Sequence, residues 1–356
     1  MPKIVARLCL ALAALLAGVL PGAVCAADEA PARTRVVLLG TAGGPPLRPD
    51  RSQPAAALVV DGRLYLIDAG TGTVRRMVEA GLRPEQTRAI FITHHHPDHD
   101  LGLAGVLANA LYSRTWASTG PWSIYGPPGT RTMTDAALRY LSTPYGVFRA
   151  EGLTGPEFGA AAGGERDLTG AFYAALKARR LFRAHDVGAP GEIYRDDEIR
   201  VIAARNTHYA QAPAAALRNP AMQSFAYRIE TPDRVVVFTG DTGPSEEVTQ
   251  LAHGADLLVS EILEPGMARA AMQALAAQGG IPPERAERYI THLEQEHLSP
   301  EALGALATRA GVKAVVLTHF VPGGRNQGDY ERYAADVRRF YAGRVVLGAD
   351  LLDVPF

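Results

Sequence analysis

The chain has 356 residues, 47 % of them hydrophobic and 21 % charged, with a formal net charge of −1. That is the balance of an ordinary globular protein, with enough apolar residues for one large domain or two modest ones. It argues against a protein built mainly to grip nucleic acid, because phosphate binding needs a basic surface field.

The first segment lies outside the expected fold. Lys3 and Arg7 precede the apolar run Leu8–Leu20, and "PGAVCAADEA" follows with small residues suited to cleavage near Ala26 or Ala27. Charged, apolar and small-residue regions in that order read as a secretory signal peptide over residues 1–26, so the expected location is periplasmic or secreted. The apolar run is shorter than the ~20 residues a membrane span needs, and no membrane attachment is expected once it is removed. Both cysteines, Cys9 and Cys25, fall in this segment. Any metal site in the remaining chain must therefore use histidine and carboxylate.

One folded domain is expected over residues 34–356. "RVVLLG", "AAALVV" and "RLYLID" are short β-rich runs between Gly, Pro and Asp turns, the pattern of a meander. "GTVRRMVEAGL" has helical spacing, and "AIFITH" is a buried strand that ends in a histidine cluster. A helix ("LGLAGVLANALYS"), a strand ("SIYG") and a helix ("TRTMTDAALRYL") follow. The Gly/Ala-rich stretch 142–191, with one helix ("GAFYAALKARRLF"), reads as an insertion or lid. Strands return in "IRVIAARNTH", "SFAYRIET" and "RVVVFTGD", and from "SEEVTQLAH" onward helices and strands alternate to the final "RVVLGAD". A β-rich half followed by an alternating half suggests an α/β fold with two sheets packed together and helices outside, an αββα sandwich.

The chemistry gathers at strand ends. "FITHHHPDHDLGL" holds four histidines and two aspartates. Residues two apart on an extended strand point the same way, so His94 and His96 can share one metal. Pro97 helps the chain turn, and Asp98 and His99 would reach a second point nearby. His95 points away in this scheme, and Asp100 is expected to cap the next helix. His208, Asp241 and His319 each close a later strand, where a sheet presents distant positions at one rim. Imidazole and carboxylate without thiolate favour zinc, with iron or manganese as alternatives.

"THHHPDHDLGL" is similar to the HxHxDH signature of the metallo-β-lactamase superfamily, and the resemblance covers nearly all of the chain after the signal segment. Within it, "LLGTAGG", "YLIDAGTG", "FTGDTGPSEEV" and "HLSPEALGALATRAGVKAVVLTHF" resemble the ribonuclease Z and arylsulfatase-like branch. The resemblance implies two zinc ions per chain, one held by His94, His96 and His208. The second is held by Asp98, His99 and His319, with Asp241 bridging. It also implies a metal-bridging hydroxide as nucleophile, which Asp98 would orient, and His297 as general acid. "HLSP" departs from the branch's His-Ser-Thr and "SEIL" from its "HEAT"-type run, and no Gly/Pro-rich arm for tRNA is evident. Together with the export signal, these departures lead to an expected exported hydrolase of phosphodiesters or sulfate esters. A small-molecule ester is the expected substrate, no nucleic acid partner is expected in that compartment, and a homodimer is left open. A lactonase or β-lactamase is the alternative, and a non-catalytic metal-binding protein a third reading. Asp68 and Glu261 are candidates to hold ligand histidines from behind. Tyr209 and Ser224 are pocket candidates, while His185, His253 and His292 are read as structural or surface residues.

Overall fold

Strand β1 (Thr34–Gly40), β2 (Ala55–Val60) and β3 (Arg63–Ile67) are short Val/Leu/Ala-rich runs that pair antiparallel in sequence. Asp61 and Gly62 close the β2–β3 hairpin, both at positive φ (47° and 79°), as the tight Asp-Gly turn requires. The computed structural model describes residues 33–112, 121–153, 166–324 and 326–355. The segment read as an export signal lies outside these. No helix among the described residues is long and apolar enough to cross a membrane.

After the meander the chain alternates. Helix α1 (Thr73–Glu79) leads to β4 (Thr87–Phe91), and α2 (Pro97–Asp100) and α3 (Leu103–Tyr112) lead to β5 (Trp122–Gly126). Helices α4 (Thr130–Ala150) and α5 (Leu168–Arg179) precede β6 (Phe182–Asp186). β3 to β6 pair in parallel, so the first sheet runs β1-β2-β3-β4-β5-β6.

The second sheet repeats the plan. Its antiparallel part is β7 (Gly191–Arg195), β8 (Arg200–Arg205), β9 (Phe225–Glu230) and β10 (Val235–Phe238). Its parallel part adds β11 (Leu257–Leu263), β12 (Ala314–Val321) and β13 (Arg344–Leu347). Helices α6 (Glu246–Leu251), α7 (Pro265–Ala277), α8 (Pro283–Glu296), α9 (Pro300–Ala310) and α10 (Gln327–Val337) connect them.

Alternation along each strand divides the core into layers. Val36, Leu38, Leu58, Tyr65 and Phe91 of the first sheet meet Val201, Phe225, Tyr227, Val236 and Val316 of the second. The opposite faces are covered as well. Val37, Leu66 and Ile90 pack under α1, α3, α4 and α5, while Val237, Leu258 and Val315 pack under α6, α9 and α10. Strands buried on both sides read as unbroken apolar runs. This is the αββα sandwich expected from the sequence.

One expectation needs adjusting. The meander-then-alternation pattern occurs in both sheets, where the sequence suggested a single change at mid-chain. Residues 142–191 begin inside α4 and include α5 and β6. Their Tyr145 and Phe172 are buried in the outer core of the first sheet, with ring centroids 5.8 Å apart.

Candidate metal centre

The loop after β4 is fixed by both sheets before any side chain is considered. The Ile92 carbonyl accepts from the Tyr227 hydroxyl (2.6 Å) and the Thr93 carbonyl from the Phe225 amide (3.0 Å). The Ala69 amide donates to the His99 carbonyl at 2.7 Å. That approach needs glycine on both sides: a Cβ on Gly70 would lie 2.2 Å from the Asp98 carbonyl oxygen, and one on Gly102 would lie 2.2 Å from that of Gly70. His96 then adopts the extended conformation before Pro97, which opens the single turn of α2 and carries Asp98 and His99 inward.

The remaining residues arrive from the second sheet. His208 follows β8 and Asp241 follows β10. His319 sits in an irregularity of the β11–β12 register, where Glu261 alone faces Thr318 and His319. The extra residue is accommodated by a positive φ of 46° at His319. A bulge of this kind redirects a side chain, and here it turns the imidazole toward Asp98 and Asp241.

These side chains form two adjoining groups. His94, His96, His208 and Asp241 present ligand atoms within 4.8 Å of one another, as do Asp98, His99 and His319. Asp241 faces both: Oδ2 lies 3.8 Å from Nε2 of His94 and of His208 and 3.1 Å from His319 Nε2, while Oδ1 lies 3.4 Å from His99 Nε2. Asp98 Oδ2 is 3.5 Å from His99 Nε2 and 3.4 Å from His319 Nε2, and it accepts the Gly44 amide at 3.1 Å.

The donor set fits a cation. His94 Nε2, His99 Nε2, Asp241 Oδ1 and His319 Nδ1 are buried without a hydrogen-bond partner. Buried polar atoms left unsatisfied are costly, and the three at His94, His99 and Asp241 meet at one point as nitrogen and carboxylate oxygen that suit zinc, where His319 presents Nε2 and turns its Nδ1 toward Glu261.

Electrostatics separates the two groups. Burial, followed by the neighbouring imidazoles, pushes His94 well below the ordinary histidine range. Burial likewise holds His208 well below it, against Asp241, and lowers His96 to about 4. Burial opposes protonation of His99 and His319 too, but carboxylates win there. Asp241, Asp68 and Asp98 raise His99 well above its usual value, and Asp241 with Asp98 carries His319 up to about 10. In Asp241 the same balance favours charge: burial opposes it, yet His319 and His99 hold its carboxyl well below the usual range. The side that three carboxylates surround thus favours the charged imidazole.

Around this centre lies a supporting layer. His99 Nδ1 donates to Asp68 Oδ2 (2.8 Å), and Asp68 Oδ1 accepts the Thr93 amide (2.7 Å). His208 Nδ1 donates to the Glu296 carbonyl at 3.1 Å. His297 Nδ1 meets Glu261 Oε2 at 2.5 Å, and the other oxygen of Glu261 accepts the Thr242 amide at 2.6 Å. Burial lowers His297, but the Glu261 charge outweighs it and the net direction is upward.

The family model described as "Beta-lactamase superfamily domain" matches residues 63–320. The chain belongs to the metallo-β-lactamase superfamily. It is 28 % identical to "Ribonuclease Z" of Mycobacterium bovis over 316 residues, 89 % of this chain and 96 % of that one. The structure of the short form of human tRNase Z superposes with a TM-score of 0.58 at 20 % identity, covering 90 % of this chain and 98 % of that one. Zn(2+)-bound PqqB from Methylobacterium extorquens gives 0.53 at 16 % identity, covering 90 % and 100 %. The two structural likenesses concern the fold.

These findings overturn the functional expectation. An exported hydrolase of small phosphodiesters or sulfate esters, with a lactonase as alternative, does not agree with relatives called ribonuclease Z across nearly their whole length. The expectation of no nucleic acid partner falls with it. The physical reason is that a His/Asp metal cluster serves any polarised ester, so its residues left the choice to the N-terminal segment and to overall charge.

Residue by residue, the structure brings His94, His96, Asp98, His99, His208, Asp241 and His319 together and sets His297 beside them. His95 turns away, bonded to Asp100 Oδ2 (3.0 Å) and facing the Pro127 carbonyl (3.2 Å). Asp100 is the last residue of α2, and its Oδ2 is engaged by His95. Tyr209 stands next to the His96 ring, with centroids 5.4 Å apart. His292, expected to be structural or on the surface, belongs to this neighbourhood: its ring lies 5.3 Å from His208 and its Nδ1 bonds Glu296. The run "HLEQEH", with His292 and Glu296 one helical turn apart just before His297, was the available signal.

Proposed function

We propose that the protein is a zinc-dependent phosphodiesterase that cleaves RNA, with two metals held by the gathered side chains. The observation that carries this reading is the meeting of His94, His96 and His208 with Asp98, His99 and His319 across one shared carboxylate, Asp241. Phosphodiester cleavage of RNA is supported by the ribonuclease Z relatives that span the chain.

Zinc in such a pair supplies a Lewis acid that stabilises charge developing on phosphoryl oxygens. The chain's own residues prepare the rest. Asp68 fixes the ring of His99 through Nδ1 and leaves Nε2 for the metal. The Glu296 carbonyl does the same for His208. Glu261 holds the proton on His297 Nδ1 and raises its affinity, so Nε2 is left to deliver a proton to the departing oxygen. A positioned proton donor of this type contributes about 10²–10⁴-fold.

The test is cleavage of a tRNA transcript carrying an unpaired extension by zinc-loaded protein, beside Asp241→Ala and a chelator-treated control. Metal-dependent RNA cleavage lost in both controls is expected. Turnover of small esters with intact RNA would overturn the assignment.

A further inference from the structure

The helical pair α7–α8 stands between β11 and α9, and α8 presents one face that the metal chemistry does not use. Arg285, Arg288, Tyr289 and His292 are spaced three, four and seven residues from the first, so they fall on one stripe of the helix. They line a groove of about 410 Å³. Arg285, Arg288 and Tyr289 are exposed, and neither arginine makes an ion pair among the described residues. Of the helix's acidic residues, Glu294 pairs with Arg269 and Glu296 bonds His292 itself, while Glu284 and Glu287 are exposed on the helix and do not line the groove.

The stripe ends at the metal centre. His292 lies with its ring 6.3 Å from that of His96, which is half-buried while His94 and His208 are fully buried. Along the helix Arg285 is about 10 Å from His292, at 1.5 Å per residue. Two unpaired guanidinium groups and an exposed phenol ring thus lead to the more open edge of the site. Arginine binds phosphate oxygens through a planar fork, and an exposed aromatic ring stacks a base whatever its sequence. In a chain of net charge −1 there is no general attraction for a polyanion, so a local basic stripe decides where one settles.

We propose that this face of α8 is a track for single-stranded RNA, holding the unpaired segment next to the scissile bond. The proposal rests on the RNA reading above and adds where the strand lies. Phosphates sit on Arg285 and Arg288, and a base stacks on Tyr289.

The test uses the full zinc-loaded chain and a fluorescent single-stranded RNA oligonucleotide, with binding followed by anisotropy across a salt series. Arg285→Gln with Arg288→Gln is expected to weaken binding and lower the salt slope by about 0.7 for each phosphate no longer neutralised. Tyr289→Ala is expected to weaken binding roughly tenfold without changing the slope. Turnover of bis-(p-nitrophenyl) phosphate, too small to reach the stripe, should stay at wild-type level in all variants and reports their folding. Wild-type affinity in these variants overturns the track and leaves RNA cleavage standing. Wild-type protein that binds no RNA overturns it too, while cleavage of the tRNA transcript reports separately on the RNA reading. Equal displacement of the RNA by poly-glutamate from wild type and Tyr289→Ala would show a generic polyanion surface and also overturn it.

Discussion

Both sheets are built on one plan, an antiparallel meander running into parallel strands, yet they furnish the metal centre differently. The first sheet delivers His94, His96, Asp98 and His99 on a single loop after β4, with Asp68 from the end of β3 behind them. The second delivers His208, Asp241, Glu261 and His319 one at a time, from four strands. A loop can present several ligands because its short turn is pinned by backbone bonds from both sheets. Strand ends can present only one each, and each needs its own local device, the bulge at His319 being the clearest. The site's precision is thus divided between one prefabricated loop and a register shared by several strands.

The largest expected effect comes from the residue where the two contributions meet. Asp241→Ala should remove RNA cleavage by more than about 10³-fold, roughly 4 kcal/mol of barrier, with zinc content by elemental analysis falling in parallel. Retention of full zinc would break the idea that the halves are joined there.

Next come the carboxylates behind each half. Asp68→Asn should weaken zinc binding by about 10–100-fold, because it stops orienting His99. Glu261→Gln should leave zinc content unchanged and lower turnover by about 10²-fold, because it acts on the proton of His297. Its pH–rate profile should lose activity at lower pH than wild type does, since the Glu261 charge is what raises His297. Zinc loss in both variants would merge the two roles into one.

A smaller effect concerns protons. In the metal-free protein the surroundings favour neutral His94, His96 and His208 and charged His99 and His319, so zinc binding should displace protons from the latter two. Zinc titration of metal-free protein in buffers of different ionisation enthalpy should show about two protons released. In that metal-free state the sign for stability follows. The raised His319 stabilises fully below its unfolded value of 6.5 and loses this as pH rises through about 10. The depressed His96 has the opposite effect, costing stability as pH falls from 6.5 toward about 4. Thermal melts of metal-free protein between pH 4 and 6.5 check this second limb.

The smallest change tests the helix that follows His297. Ser299 caps α9 by accepting the Ala302 amide at 3.2 Å. Ser299→Ala should cost about 1 kcal/mol of stability in a denaturant melt and leave zinc content intact.

What was legible in the sequence follows the same division. The β4 loop could be read outright because its ligands are neighbours in the chain, and His208, Asp241 and His319 because each closes an apolar run. The helices α7 and α8 were not seen. The first is alanine-rich, and the second is mostly charged and buries only Ala286, Ile290 and Glu296, so its apolar stripe is one-sided but narrow. His292 was set aside with them. The substrate class was misread because nothing in a metal ligand distinguishes a sulfate ester from the backbone of RNA.

The α7–α8 pair has little share in the three large cores, sitting on a small satellite of Leu263, Ala268 and Val321 with Leu293 packed against it. Its C-terminal end reaches the metal centre, through the His292 ring beside His208 and the Glu296 carbonyl on His208. Apart from those two contacts, the pair can vary in surface without disturbing the three large cores of the sandwich. Substitutions on the outer face of this hairpin therefore change what meets the site's edge without touching the residues that form it.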